Sequence, residues 1–179
     1  MTRQGIESIV LGGGCFWCLE ASYAMVNGVV RVRPGYAGGH DEQPSYHRVC
    51  QGNTGHAEVV DVEFDPSVIS LTQILEVFWT VHDPTTLNRQ GNDVGSEYRS
   101  IILCSTENQL ELAQRSMKQN QQYWSQPIVT QVRMLQEFYP AEEEHVDYFA
   151  KHPERAYCQL VINPKLTKLQ ASFADLLKH

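Results

Sequence analysis

The sequence predicts an α/β fold of the α+β sandwich kind, a mixed β-sheet with flanking helices. Three observations carry that expectation. Six apolar runs have strand length, amphipathic segments at helical spacing lie between them, and two helix starts carry a Ser or Thr followed three residues later by Gln. Strands that alternate with helices need crossover connections over a sheet, which sets a bundle or a barrel aside.

The elements follow in order. Ile6–Leu11, Val29–Val32, Ala57–Phe64, Ser100–Cys104, Ile128–Met134 and Tyr157–Ile162 have the length and composition of strands. After the first run, "GGGCFWCLEASYAM" turns through glycines into helix-forming residues. Ser70 and Gln73 form a capping box ahead of Leu71, Ile74, Leu75, Phe78 and Trp79, which share one helical face. A second box, Thr106/Gln109, opens a helix carrying Leu110, Ala113 and Met117. A last helix starts at Asn163 and Pro164 and presents Leu166, Leu169, Phe173 and Leu176. Two long stretches, Gly35–Gln51 and His82–Glu97, are rich in Gly, Pro, Asp and Asn. Loops of that length in a compact domain are usually functional, so a site is expected between them.

Bulk composition narrows the possibilities. The chain has 179 residues, enough for one domain with its own core, and 42% hydrophobic with 20% charged residues is ordinary for a globular protein. Net charge is −7 and the 14 basic residues are scattered, so neither nucleic acid nor an anionic membrane is an expected partner. No run approaches the roughly 18 apolar residues that span a bilayer, and no secretory leader is visible, which gives a cytoplasmic expectation. Five cysteines, at 15, 18, 50, 104 and 158, make an odd count without the spacing of a disulfide scaffold. In a reducing compartment, a cysteine with a role does chemistry.

The strand-to-helix turn places Cys15 at a helix start, where free amides and the helix dipole are expected to lower its thiol pKa and the glycines to leave it accessible. It reads as a nucleophile. A zinc site would need a second Cys or His pair, and the G-x-G-x-x-G spacing of a dinucleotide loop is not met. Phe16 and Trp17 fill the C-x-x-C gap and stand beside the sulfur as an apolar wall suited to a small thioether methyl.

Strand alternation in "GHAEVVDVEF" aligns Glu58 with Val60, Val62 and Phe64. An acid on that face would be partly buried, with a raised pKa that keeps it protonated as a general acid needs, unless it simply reaches water at the strand end. The two long loops supply Tyr46, Asp93 and Tyr98 as donors and a further acid. His56 reads either as a base or as a surface residue, and Glu142/His145 in "EEEH" as a solvated helix face, since a di-iron centre would need two such motifs.

Taken together and in order, "GGGCFWC", "GYAGG", "SYHRVCQGNTGHAEVV", "NRQGNDVGSEYRS" and "YCQLVINPKL" resemble the peptide methionine sulfoxide reductase A family, from about residue 6 to about residue 168. The resemblance implies a single catalytic domain over 1–179 with a ferredoxin-like core, and reduction of the S epimer of methionine sulfoxide, free or in oxidised proteins. It makes Cys15 the nucleophile, Phe16 and Trp17 the grip on the substrate methyl, and Glu58 the acid that protonates the sulfoxide oxygen. Tyr46, Tyr98 and Asp93 complete the pocket. Cys15 would become a sulfenic acid, condense with a second thiol, and be recycled by thioredoxin or another external dithiol, without metal or organic cofactor.

Two thiols compete as the second partner. Cys18 stands where the commoner family pattern has Gly, one helical turn from Cys15, with Cβ atoms about 5 to 6 Å apart. Cys158 lies where family members often carry the recycling cysteine, and it is preferred because a bond within one helical turn would strain that turn and crowd the aromatic wall. Cys50 and Cys104 have no expected role, Cys104 serving as a small hydrophobe. The rival functions are a general thiol–disulfide oxidoreductase on Cys15/Cys18 and a thioether-binding module, and neither accounts for Glu58, Tyr46 and Tyr98 together.

Overall fold

The structure, a computed structural model, describes residues 5–178. Its strands are β1 (Glu7–Gly12), β2 (Val29–Ala37), β3 (Ala57–Phe64), β4 (Arg89–Gln90), β5 (Asp93–Val94), β6 (Ile101–Cys104), β7 (Gln131–Met134) and β8 (Phe138–Pro140). The helices are α1 (Phe16–Ala24), α2 (Tyr46–Cys50), α3 (Leu71–Val81), α4 (Glu107–Asn120), α5 (Tyr148–Lys151) and α6 (Asn163–Ser172). Six strands make one sheet in the order β7-β6-β1-β3-β2-β8, and β4 and β5 form a separate hairpin. Its centre, β6-β1-β3-β2, is antiparallel throughout, and β1-α1-β2-β3-α3-β6 is the split βαβ order of a ferredoxin-like core. Only β7 adds a parallel pairing, to β6, and that makes the sheet mixed.

Alternation along β3 divides the interior. Val60, Val62 and Phe64 face the main core with Ile9, Leu11, Phe16, Leu19, Ile74, Leu75 and Phe78. Ala57 and Val59 face a smaller cluster with Val10, Ala37, Ile101 and Leu103 on the other side of the sheet. Asp61 shares that second face and is tied to Arg33 at 2.6 Å, which supplies the partner a nearly buried carboxylate needs.

Helix starts follow local chemistry. Ser70 and Gln73 form a full reciprocal box at the head of α3. Thr106 caps α4, but the box expected there is half made: Gln109 Oε1 accepts from the Ser105 amide at 2.8 Å, and its Nε2 donates to Ser8 O at 2.9 Å. The side chain is drawn toward β1 and fastens α4 to the sheet.

One expected strand is a helix. Residues 156–172 run helically, with a π turn at Cys158–Ile162 leading into α6. Pro164 has no amide to close the preceding turn, and a wider turn accommodates that loss. The last helix ends at Ser172, before Phe173, and Leu176 lies in a following 3₁₀ turn. Among the described residues, no helix is long and apolar enough to cross a membrane.

Candidate active site

The site forms where β1 runs into α1. Cys15 is the N-cap of α1, reached through Gly14 at φ +94°, a left-handed conformation that glycine adopts freely. The Gly14 amide donates to Tyr98 O at 3.2 Å, which brings the loop before β6 against the turn.

Glu58, 1% exposed, comes from the neighbouring β3, and its Oε1 accepts the Phe16 amide at 3.1 Å. Burial pushes its carboxyl up to about 8; the Phe16 amide opposes the shift, and the Glu97 and Asp93 carboxylates reinforce it. With Oε1 engaged by an N–H, Oε2 is the oxygen left to carry a proton. The alignment expected from strand parity is present.

Cys15 departs from expectation. Its residue is 8% exposed and its thiol pKa is raised rather than lowered, by burial first and then by Glu58 and Cys18; amide and phenol contacts from Trp17 and Tyr157 offset little of this. The helix start does present amides, but loss of water and a neighbouring carboxylate outweigh them. In this resting arrangement the sulfur is a nearly covered, neutral thiol.

Aromatic rings build the rest. Phe16 is fully buried, with ring centroids 5.7 Å from Tyr36, 6.4 Å from Tyr46 and 5.2 Å from His145. Trp17 is half-buried; its indole N–H donates to His145 Nδ1 at 3.2 Å, and Tyr148 stacks on it at 3.6 Å and 5°. Tyr46 opens α2, and Tyr98 ends a 3₁₀ turn at Ser96–Tyr98. Burial, with Glu58 and the Cys50 thiol adding, raises the pKa of both phenols, so they remain donors. Asp93, on β5, accepts the Tyr157 hydroxyl at 2.7 Å.

Cys18, 2% exposed, lies 3.8 Å from that same hydroxyl. Cys158 is fully buried, and Glu154 and Arg155 of its own segment are the charges that bear on it. The residue brought to the two sulfurs is instead its neighbour Tyr157. Cys104 is buried in β6, as a small hydrophobe, and Cys50 is exposed at the end of α2.

Several site residues escaped the sequence reading. The "EEEH" stretch is not a solvated helix face. His145 is 5% exposed and packs on Phe16 and Tyr46. Glu142 accepts the Tyr36 hydroxyl at 2.8 Å and the Tyr46 amide at 3.0 Å, clamping β2 to α2. Glu142, Glu144 and His145 place possible ligand atoms within 4.8 Å of one another. However, the Trp17 bond occupies the His145 Nδ1 lone pair, so its proton sits on Nε2, and Glu142 is already shared by two donors; the set fits a role holding the pocket better than an ion. His56 is buried, with Nδ1 accepting Gly39 N–H at 3.0 Å and Nε2 donating to Asp41 O at 2.7 Å. Both nitrogens are spent on the loop, so it serves neither as base nor as surface residue. The signals for these residues were faint: Tyr36 stands inside "GYAGG" and Tyr157 directly precedes Cys158.

A groove of about 750 Å³ between α3, α4 and α6, walled by Trp79, Tyr123 and Phe173, shares no residue with this site.

Comparison with known proteins adds a second line. A family model described as peptide methionine sulfoxide reductase matches residues 7–177. The chain is 53% identical over 172 residues to a peptide methionine sulfoxide reductase MsrA of Pseudarthrobacter chlorophenolicus, covering 96% of this chain and 99% of that one. Its structure is similar to that of reduced Mxr1 from Saccharomyces cerevisiae, with TM-score 0.83 and 36% identity over 88% of this chain and 91% of the other. Mxr1 in complex with Trx2 also matches, with TM-score 0.60 and 26% identity over 82% and 87% of the two chains.

Proposed function

The chain belongs to the peptide methionine sulfoxide reductase family, and from that premise we propose that Cys15 attacks the sulfur of methionine (S)-sulfoxide while Glu58 protonates its oxygen. The enzyme reduces methionine sulfoxide, free or in oxidised proteins, and thioredoxin recycles it, in keeping with the Trx2 complex of its structural neighbour. The observation that carries the residue assignment is the buried Glu58, bonded to the amide that follows Cys15 and protonated up to about pH 8.

The sulfoxide methyl enters between Phe16 and Trp17, where apolar area favours it over water. Its oxygen faces Glu58 with Tyr46 and Tyr98, the donors suited to a developing negative charge. Asp93, held by the Tyr157 hydroxyl, completes the polar side of the pocket. As Glu58 gives its proton to the oxygen, the sulfur becomes electrophilic and Cys15 attacks, with its own proton passing to the site in exchange. The oxygen is transferred: Cys15 leaves as sulfenic acid and the substrate as methionine. A second thiol condenses with the sulfenic acid, water departs, and thioredoxin exchanges its dithiol for the disulfide.

We assign that second thiol to Cys158. The turns carrying it must open to present it, and the π turn Cys158–Ile162 that it begins is a locally irregular segment of the kind found at functional sites. Cys18 is the competing thiol, favoured by its nearness to Cys15 and Tyr157. A general thiol–disulfide oxidoreductase on Cys15/Cys18 is disfavoured, because residues only 8% and 2% exposed offer a protein disulfide little access.

The reaction needs no metal or organic cofactor from this set of residues. One catalytic domain over 1–179 and a cytoplasmic setting complete the proposal, with neither nucleic acid nor a membrane as partner, which the scattered basic charge supports.

The test is to incubate pre-reduced protein with each sulfoxide epimer and no reductant, then map the new disulfide by mass spectrometry. One equivalent of methionine from the S epimer alone is expected, with a bond between Cys15 and Cys158. No methionine from either epimer would overturn the proposal.

A further inference from the structure

The wall that Trp17 presents depends on a very short helix. Tyr148, stacked parallel on the indole, is the first residue of α5, which has only four residues. One turn does not sustain itself, and its leading amides have no partner within the helix. Its cap, Asp147, sits at φ 55° and ψ 37°, a left-handed conformation that is unfavourable for a non-glycine residue, and it makes no side-chain capping bond.

The missing acceptor comes from α1. Glu20 is 3% exposed, and its Oε2 accepts the Asp147 amide at 3.1 Å. Burial pushes this carboxyl up to about 7, and the Asp147 and Tyr148 amides pull it back. Glu20 follows Trp17 by three residues on the same helix, and residues so spaced share a face. One turn of α1 therefore holds both ends of the contact: the indole takes the Tyr148 ring, and the carboxylate takes the backbone that carries it.

We infer that Glu20 is a positioning residue for the substrate methyl pocket, anchoring the start of α5 in its left-handed turn and thereby setting the plane of Tyr148 against Trp17. It touches no substrate and acts through Tyr148. The inference rests on the reading of Trp17 as the grip on the sulfoxide methyl.

The experiment compares Glu20→Leu, which has no acceptor, with Glu20→Gln, which keeps one carbonyl, measuring KM and kcat for methionine (S)-sulfoxide with dithiothreitol as reductant. Losing the stack is expected to raise KM about five- to tenfold in Glu20→Leu with kcat within about twofold, while Glu20→Gln stays within about threefold of wild type. Asp147→Gly, which adopts the left-handed turn without steric cost, is expected to recover part of the Glu20→Leu loss. Wild-type KM in Glu20→Leu, or a Glu20→Gln loss equal to that of Glu20→Leu, overturns the inference. Should Glu20→Leu fail to fold, Glu20→Gln alone and with Asp147→Gly decides: a partial rise in KM that the glycine reverses supports the anchor, and any other pattern overturns it. Trp17→Ala separates the two readings. An unchanged KM there removes the grip itself, whereas a raised KM there beside an inert Glu20→Leu removes only the anchor.

Discussion

The amide of Phe16 donates to Glu58 Oε1 at 3.1 Å, so Glu58 is fastened to the residue next to Cys15. Glu58 sits at the start of β3, and Cys15 caps α1 just beyond the end of β1, the antiparallel neighbour of β3. A buried sheet is the least deformable part of a domain, and it keeps the two groups at a fixed separation through the reaction.

Glu58→Gln is expected to slow the single-turnover release of methionine about 100-fold or more, the usual share of a general acid. In the wild type that rate falls as pH rises through about 8, because the carboxyl then loses its proton, and the alkaline limb disappears in Glu58→Gln. Stability follows the same sign. A carboxyl raised from 4.5 to about 8 keeps its proton longer folded than unfolded, so its contribution is complete below pH 4.5 and is lost as pH rises through 8. Urea melts across that window should flatten in Glu58→Gln; a wild-type rate without an alkaline limb would count against the assignment.

Replacing Cys158 by Ser should leave one stoichiometric round of methionine release and stop thioredoxin-supported turnover. Cys18→Ser should keep both. The reverse pattern, read by methionine quantification with and without thioredoxin, transfers the resolving role to Cys18.

Glu142→Ala removes the acceptor shared by the buried Tyr36 hydroxyl and the Tyr46 amide. An unpaired buried hydroxyl costs about 1 to 3 kcal/mol, so the melting midpoint should fall, and KM should rise as Tyr46 loosens. An unchanged midpoint would show that water serves the two donors equally well.

Gly39→Ala should cost more than a surface substitution. A Cβ there would lie 2.3 Å from the backbone of Gly55 and His56, which lead into Glu58. Backbone cannot rotate away, so the loop must move, at about 1 to 3 kcal/mol by the measure of overpacked interiors. Thermal melting together with activity checks this, and wild-type values in both would contradict the close approach.

Much of this was legible in the sequence where the signal was local. The Ser70/Gln73 box, the glycine turn before Cys15 and the parity of Glu58 each span a few residues, and each stands where it was read. The run at Tyr157–Ile162 misled because a short apolar stretch fits a buried helix as well as a strand, and the helix start at Pro164 extends backwards through it. His145, Tyr148 and Glu142 could not be found that way. Their roles are contacts with Trp17 and Tyr36 more than a hundred positions away, which only the closed sheet brings together. The thiol pKa of Cys15 was misjudged for a related reason: a helix start is visible in sequence, but the loss of water around it is not.

That burial has a consequence for an enzyme meant to work amid oxidants. Peroxide reacts with the ionised form of sulfur and with what it can reach, and at rest Cys15 offers it neither. In the mechanism proposed above, it is a visitor docking its methyl against Phe16 and Trp17 and taking a proton from Glu58 that wakes the sulfur. The repair tool is thereby shielded from the damage it was built to undo.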